Sequence, residues 1–132
     1  MDRTKAKQYN VTSLAYIGDA VYELRIREMV LNSPNMDAGR AHHGAVRYVS
    51  SNGQSLAART MCETGFLTEE EERLLKRGRN HRATSRPANA DPKKYKWATG
   101  FESLIGFLHL AEDYDRLDAV INEAVRIIRE HH

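Results

Sequence analysis

Two acidic residues stand alone in apolar stretches of this chain and are its first candidates for chemistry. Asp19 is the single charge in the stretch 14–21, LAYIGDAV, and Glu102 is the single charge in the run 101–108, FESLIGFL. An ionised carboxylate is expensive to bury unless a cation, hydrogen-bond donors or a metal compensates it. Two carboxylates on separate helices are the minimum for holding Mg²⁺, which prefers oxygen ligands and keeps several waters. The sequence therefore predicts a divalent-metal site built from Asp19 and Glu102.

A glycine accompanies each of these acidic residues. Gly18 directly precedes Asp19, and Gly106 follows Glu102 by one helical turn. A residue without a Cβ allows another backbone or a substrate to come close. We therefore expect the two apolar helices to approach each other at these positions. The alternative is that each acid forms an ion pair with an arginine such as Arg25 or Arg59.

The basic residues are concentrated in one segment. The chain of 132 residues has a formal net charge of +2, yet residues 73–96 contain nine Lys or Arg and one acid, Asp91. The remainder holds eleven basic and seventeen acidic residues. A concentrated basic segment is typical of a phosphate-binding patch, although a solvated surface run gives the same pattern.

Composition excludes several classes of protein. No apolar run approaches the roughly 18 residues of a membrane span, and the N-terminus lacks the apolar core of a signal peptide. The single cysteine, Cys62, rules out an internal disulfide and a cysteine-based zinc site. We therefore expect a cytoplasmic protein without a membrane partner. The C-terminal residues His131 and His132 are left out of the interpretation, because a purification tag would look the same.

Helical periodicity predicts an all-α fold of about five principal helices. Thr12 or Ser13 is the expected N-cap of the first helix, Asp37 that of the second, and Thr68 that of the third. Thr68 and Glu71 have the spacing of a capping box. Residues 1–10 are expected to fray, and 80–94 to form a long irregular loop. The predicted helices span about 12–31, 37–61, 68–78, 93–108 and 115–129.

The helix predicted over 37–61 presents a polar face that is short of acids. This face could line a nucleic-acid groove, or it could simply be the solvated side of an amphipathic helix. The last turn of the helix predicted over 68–78 is basic, which suits the helix dipole in any protein. The polar face comprises Arg40, His43, Arg47, Ser50 and Gln54.

The two acidic motifs resemble those of the ribonuclease III family. The stretch 14–21 resembles the family's first acidic signature, LEFLGDAV, and FESLIG at 101–106 resembles the second, EALIG. The tract 66–80 and the order of the motifs are closest to Mini-ribonuclease III, the branch that consists of the catalytic domain alone. The resemblance covers about residues 11–128. It implies one ribonuclease III-type catalytic domain over 1–132, without a double-stranded-RNA-binding domain.

The resemblance implies a Mg²⁺-dependent endoribonuclease that cleaves double-stranded RNA to 5′-phosphate and 3′-hydroxyl ends. Asp19 and Glu102 would be both the metal ligands and the catalytic residues, with Mn²⁺ as a possible substitute. The fuller family cluster has further acids where this chain has Thr12, Ala15 and Thr99, so we expect one tightly held ion with mostly water ligands. Glu23, one turn beyond Asp19, is either an additional acid near the site or an exposed helix charge.

The family works as a homodimer, and the first apolar helix is the natural interface, although it could equally be core alone. The resemblance further points to the ends of precursor 23S ribosomal RNA as substrate, with a ribosomal protein as helper. The rival interpretations are a catalytically weak duplex-RNA or ribosome-binding module, a helical phosphohydrolase acting on nucleotides, and a structural helical protein. The loop 81–92 has no assigned role. The expected RNA-binding residues are Arg40, His43, Arg47, Ser50, Gln54, Lys76, Arg77, Arg79, Asn80 and Arg82.

Overall fold

The structure, a computed structural model, describes residues 1–34, 38–82 and 91–131, with the backbone alone for 38–42. The described ranges form seven helices and contain no strand, which confirms the all-α prediction. The predicted cap Asp37 and most of the predicted loop, residues 83–90, lie outside the described residues. The helices are α1 (Arg3–Lys7), α2 (Val11–Leu31), α3 (Ala38–Val49), α4 (Ser51–Thr64), α5 (Glu69–Arg79), α6 (Pro92–Leu110) and α7 (Tyr114–Glu130).

Helix α6 is the centre of the molecule. It begins at Pro92 after the N-cap Asp91, and it packs against α1, α2, α4, α5 and α7. A helix that is apolar on all sides belongs in a core. The central turns of α6 meet this expectation, because the side chains of Phe101, Leu104 and Phe107 have no exposed surface. Glu102 therefore lies on the most rigidly packed element of the fold.

Two glycines bring α2 and α6 into backbone contact, as the sequence predicts. A Cβ placed on Gly18 would lie 1.7 Å from the backbone oxygen of Glu102. A Cβ placed on Gly106 would lie 1.9 Å from the backbone oxygen of Leu14. No larger residue fits at either position without separating the helices. This crossing fixes Asp19, the neighbour of Gly18, next to Glu102.

The single helix predicted over 37–61 is wrong, because the chain forms two helices there. Ser50 has an extended backbone, and its side chain accepts a hydrogen bond from the backbone N–H of Gly53, so that a new helix begins. At this junction α4 packs closely on the end of α3, since a Cβ on Gly53 would lie 2.4 Å from the backbone oxygen of Arg47. The close packing of α4 on the end of α3 thus requires a glycine at position 53. Gly53 does not lie within one long helix that it would weaken.

The N-terminal ten residues were expected to fray, and this prediction is also wrong. They form α1, whose Ala6 is fully buried, and Arg3 forms ion pairs with Glu70 and Asp113. Helix α2 starts two or three residues earlier than expected, because its N-cap is Asn10, whose side chain accepts the hydrogen bond from the backbone N–H of Ser13. The capping box of α5 is present as predicted.

Helix α2 is not buried on all sides in the single chain. Its inner face packs against α6, but its outer face exposes apolar side chains spaced by about two turns. Tyr16 is 79%, Leu24 60% and Leu31 59% exposed. Within the described residues, no helix is long and apolar enough to cross a membrane.

Candidate active site

The structure brings the two predicted acidic residues together. Asp19 lies on an exposed turn of α2, and Glu102 lies beneath it on the inner part of α6, largely shielded from solvent. Their side chains are within hydrogen-bonding contact, with the neutral form of Glu102 donating to Asp19. We call Asp19 and Glu102 the carboxylate pair.

The electrostatics of the carboxylate pair are unfavourable without a counter-charge. The pKa of Glu102 is raised to about 8. Burial is the largest cause, and the hydrogen bond to Asp19 and the negative charge of Asp19 add to it. Two carboxylates that share a site cannot both ionise cheaply. A bound cation removes this repulsion, and a pair of anionic oxygen ligands suits a hard divalent ion.

The alternative of arginine partners is not supported. Arg25 pairs with Asp118, and the Nε of Arg59 donates to the backbone oxygen of Ser55. Among the described residues, no ion pair reaches either member of the carboxylate pair. Nor do the described residues contain three His, Cys, Asp or Glu grouped around one point. Among the described residues, the candidate metal ligands are therefore the two carboxylates alone, and no Lys or Arg forms an ion pair with them.

Glu23 lies close enough to influence the site. Its negative charge contributes, as a smaller cause, to the raised pKa of Glu102. The Glu23 carboxylate also accepts a hydrogen bond of 3.0 Å from Arg27, which holds it along the exposed side of α2. Glu23 thus adds negative potential near the carboxylate pair while engaged with its own arginine.

Gln54 differs most from its predicted role. It was predicted on an RNA-facing surface, but its side chain is 3% exposed, and its Nε2 donates to the backbone oxygen of Val49 at 3.1 Å. The break between α3 and α4 explains the error, because residues 50–54 no longer continue the face of the preceding helix. Sequence periodicity could have found Gln54 only if the cap at Ser50 had been recognised.

Comparison with known proteins shows which family this chain resembles. The ribonuclease III domain model matches residues 12–113. Mini-ribonuclease 3 of Enterococcus faecalis is 41% identical over 94% of this chain and 94% of its own length. Mini-ribonuclease 3 of Staphylococcus aureus is 32% identical over 94% and 92%, respectively. An X-ray structure of a Fusobacterium nucleatum protein has a TM-score of 0.77 and 27% identity, covering 90% of this chain and 93% of that one.

The chain belongs to the ribonuclease III family. It is accordingly an endoribonuclease of the ribonuclease III type. The family match includes both Asp19 and Glu102, so the carboxylate pair falls inside the ribonuclease III domain. From the resemblance, further acids were expected at three positions that this chain fills with Thr12, Ala15 and Thr99. Of these, Thr99 donates its hydroxyl to the backbone oxygen of Tyr95 within α6.

Two of the expected RNA-binding residues of this ribonuclease III domain are exposed, and each also binds the backbone at the end of a helix. Arg47 donates from Nη2 to the backbone oxygens of Ile128 and Arg129, 2.8 and 3.1 Å away, at the end of α7. Arg77 donates to the backbone oxygens of Lys7 and Tyr9 at the end of α1. Both arginines cap helix C-termini, where cations are stabilising.

Apart from the buried Gln54, the other expected RNA-binding side chains that the structure describes are exposed or half-buried. Ser50 is the half-exposed cap of α4, His43 is exposed, and the side chain of Arg40 lies outside the described residues. Lys76 pairs with Glu72 at 3.7 Å. Arg79 stacks on Trp97 at 4.8 Å and donates to Asn80. Arg82 is exposed.

A basic cleft beside α4 was not predicted from the sequence. It has a volume of about 460 Å³, and its described lining includes Arg47, Arg59 and Lys94 but no acidic residue. Arg59 and Lys94 come from α4 and α6, so only the folded chain brings their charges together. Gly53, the neighbour of Gln54, also lines the cleft. The cleft therefore lies on the α4 side of the candidate site.

Proposed function

We propose that this protein is a divalent-cation-dependent endoribonuclease that hydrolyses phosphodiester bonds in double-stranded RNA, with the carboxylate pair as its active site. The observation that carries the proposal is the contact between Asp19 and Glu102, two carboxylates brought together without an ion-pair partner among the described residues. Membership of the ribonuclease III family supports the same reaction. Asp19 and Glu102 are therefore proposed as both the metal ligands and the catalytic residues.

The chemistry of the donor set fits Mg²⁺, with Mn²⁺ as a substitute. Asp19 and Glu102 would hold the ion, which when bound supplies the positive charge that activates water and stabilises the scissile phosphate. The chain's own contribution is to fix the two oxygen ligands on α2 and α6 through the glycine crossing. Burial of Glu102 among apolar residues of α6 also keeps bulk water away from one side of the site.

The duplex is proposed to lie across the exposed basic residues next to this site. Double-stranded RNA is recognised mainly through its shape, its phosphates and its 2′-hydroxyls. Arg79, Asn80 and Arg82 remain available at the surface, and Arg59 and Lys94 extend the positive surface into the basic cleft. Because such contacts release counterions, binding should weaken steeply as salt rises.

A second copy of this chain is the proposed partner of the outer face of α2. Tyr16, Leu24 and Leu31 are exposed there, and a stripe of large apolar residues on a helix favours burial against a partner. Asp19 lies on the same outer face, so that a homodimer would bring two active sites toward one duplex. Sedimentation should show a dimer that Leu24→Asp converts to monomers. Val46→Asp, which changes an exposed residue of α3, should leave the dimer intact.

The physiological substrate proposed from the resemblance is precursor 23S ribosomal RNA, matured in the cytoplasm by a single catalytic domain with a ribosomal protein as helper.

The decisive experiment compares wild type with Asp19→Asn on a synthetic RNA duplex. We expect the wild type to cut the duplex only with Mg²⁺ or Mn²⁺. Asp19→Asn should bind the duplex with unchanged affinity and cut it roughly 10²–10³-fold more slowly, since it loses an anionic ligand at the reacting centre. A wild-type protein that binds the duplex but leaves it uncut at every metal concentration would identify an RNA-binding module instead. Equal cutting by Asp19→Asn would remove Asp19 from the site.

A further inference from the structure

We propose that a pocket between the C-terminal ends of α2, α3 and α7 is a phosphate-binding site, in which Arg47, Tyr48 and Arg129 bind one tetrahedral oxyanion. This cavity, which we call the arginine pocket, has a volume of about 180 Å³, and its described lining contains no acidic residue. Met29 of α2 also lines it, about 15 Å along the helix axis from Asp19. The arginine pocket is therefore too far from Asp19 to share a single phosphate group with the carboxylate pair.

The two arginines of this pocket have no carboxylate partner among the described residues. The guanidinium carbons of Arg47 and Arg129 lie 5.9 and 6.0 Å from the centre of the Tyr48 ring. Neither arginine takes part in an ion pair within the described part of the chain. Glu130, the sequence neighbour of Arg129, pairs with Arg126 instead. A cavity lined by charges of one sign attracts an ion of the opposite sign.

The arginine pocket also has more hydrogen-bond donors than acceptors. The Nη2 group of Arg47 donates to three backbone oxygens at the end of α7, at 2.8, 3.1 and 3.3 Å, which leaves the hydrogens on its Nε and Nη1. Arg129 donates from Nε to the Tyr48 hydroxyl at 3.0 Å and from Nη2 to the sulfur of Met29 at 3.6 Å, which leaves the hydrogens on its Nη1. These remaining N–H groups have no acceptor among the described residues. Capping of α7 thus accounts for only part of the donor capacity.

Tyr48 adds a donor that is held in a fixed position. The residue is 7% exposed, and its backbone oxygen accepts a hydrogen bond of 3.0 Å from the hydroxyl of Tyr22 on α2. The Tyr48 hydroxyl oxygen accepts from Arg129, whereas its hydrogen has no acceptor within the described ranges. Polar groups of buried residues are normally satisfied. An anion in the pocket would accept this hydrogen together with those of the two guanidinium groups.

A phosphate group is the oxyanion that suits these donors. Guanidinium groups match the geometry of phosphate oxygens, and their hydrogen bonds to an anion are stronger than those between neutral groups. The phosphate has two possible sources, the backbone of an RNA strand and free inorganic phosphate. Arg47 lines both the arginine pocket and the basic cleft, so the two cavities adjoin. An RNA strand in the cleft would thus pass close to the pocket.

The test follows the arginine side chains by NMR while the RNA-free protein is titrated with inorganic phosphate, at an ionic strength held constant with chloride. The Nε–H signals of Arg47 and Arg129 should shift and saturate. That of Arg27, an exposed arginine already paired with Glu23, should not shift. Arg129→Gln should weaken phosphate binding roughly 10-fold, because a charged donor is lost. Tyr48→Phe keeps the ring, should weaken binding roughly 3-fold, and tests the site if Arg129→Gln fails to fold.

Lys5→Gln is the matched control, since it removes one exposed positive charge from α1, which does not line the pocket. Its phosphate affinity should equal that of wild type. Shifts of equal size at Arg27 and Arg129, or no shift beyond the effect of chloride, would overturn the phosphate site. So would an equal loss of phosphate affinity in Lys5→Gln and Arg129→Gln, because binding would then follow net charge alone.

Titration with an RNA duplex in EDTA identifies the source of the phosphate. If the pocket binds a backbone phosphate, Arg129→Gln should lower duplex affinity and reduce the slope of log affinity against log salt by about one. Lys5→Gln should leave that slope unchanged. If the pocket binds free phosphate, Arg129→Gln should lose phosphate affinity while its duplex affinity and salt slope stay at the wild-type values. Either pattern supports the phosphate site, and neither requires a metal ion or cleavage.

Discussion

Glu71 and Glu102 are both shielded glutamates on helices, yet their surroundings are opposite. Glu71 is fully buried and accepts hydrogen bonds from Arg116 at 2.7 and 2.8 Å and from the backbone N–H of Thr68 at 3.0 Å. Glu102 instead lies beside a second carboxylate, that of Asp19, whose negative charge helps to raise the pKa of Glu102. One glutamate is compensated by the chain itself, whereas the other is left for a ligand to compensate.

The difference teaches how to separate a structural acid from a functional one. Burial alone does not distinguish the two kinds of acid, because Glu71 is more deeply buried than Glu102. The deciding feature is whether the fold supplies a cation, since a buried charge without one is unfavourable and persists only where it serves a ligand. Glu71 ties α5 to α7, and the Arg116 guanidinium also lies 5.2 Å from the ring of Phe66. Replacing each glutamate with glutamine should therefore produce effects of opposite kind.

The largest expected effect is the loss of cleavage in Glu102→Gln. The substitution removes an anionic ligand and should slow duplex cleavage roughly 10²–10³-fold. The metal-free variant should at the same time unfold at a higher temperature than wild type, because the repulsion between the two carboxylates is gone. Cleavage assays and thermal unfolding in EDTA measure the two effects. A variant that cuts normally, or that melts lower than wild type, would contradict the contrast with Glu71.

Glu71→Gln should show the reverse pattern. It leaves the Arg116 guanidinium, which is 31% exposed, without a carboxylate partner. Breaking a buried ion pair costs about 3–5 kcal/mol, and partial exposure of Arg116 reduces this to about 2–4 kcal/mol in the free energy of unfolding. Cleavage per folded molecule should remain at the wild-type level. Urea unfolding measures the loss, and Glu69→Gln, an exposed position in the same turn, is the control that should change little.

The comparison also shows how far sequence reasoning reaches. Both motifs of the carboxylate pair, the glycines that bring them together and the Thr68–Glu71 capping box follow from local patterns, and the structure bears out their placement. The partner of Glu71 does not follow from sequence, because Arg116 is 45 residues away and comes near only when α5 and α7 both pack on α6. The same holds for Arg25, whose partner Asp118 lies 93 residues further on.

The errors in the predicted RNA-binding surface have a common cause. Helical periodicity assigns a face to each residue only while the helix continues, and Ser50 ends α3. Arg47 and Arg77 are exposed, but part of each guanidinium donates to the C-terminus of a helix elsewhere in the chain. Conversely, Arg59 and Lys94 are unremarkable in sequence and meet only in the basic cleft. Long-range geometry, rather than residue type, decides which cations remain for a substrate.

The smallest expected effect is a pH dependence of stability that belongs to Glu102. Its pKa is about 8 in the folded protein and near the ordinary value of 4.5 when unfolded, so the folded state binds this proton more tightly. The resulting stabilisation is fully present below about pH 4.5 and is lost as pH rises through about 8. In EDTA, the melting temperature of wild type relative to Glu102→Gln should therefore fall across this interval. Saturating Mg²⁺ should abolish the fall near its upper end, because the cation then replaces the proton between the two carboxylates. A difference that stays flat with pH would mean that Glu102 is ionised throughout and already has a counter-charge, which would make it an acid of the Glu71 kind.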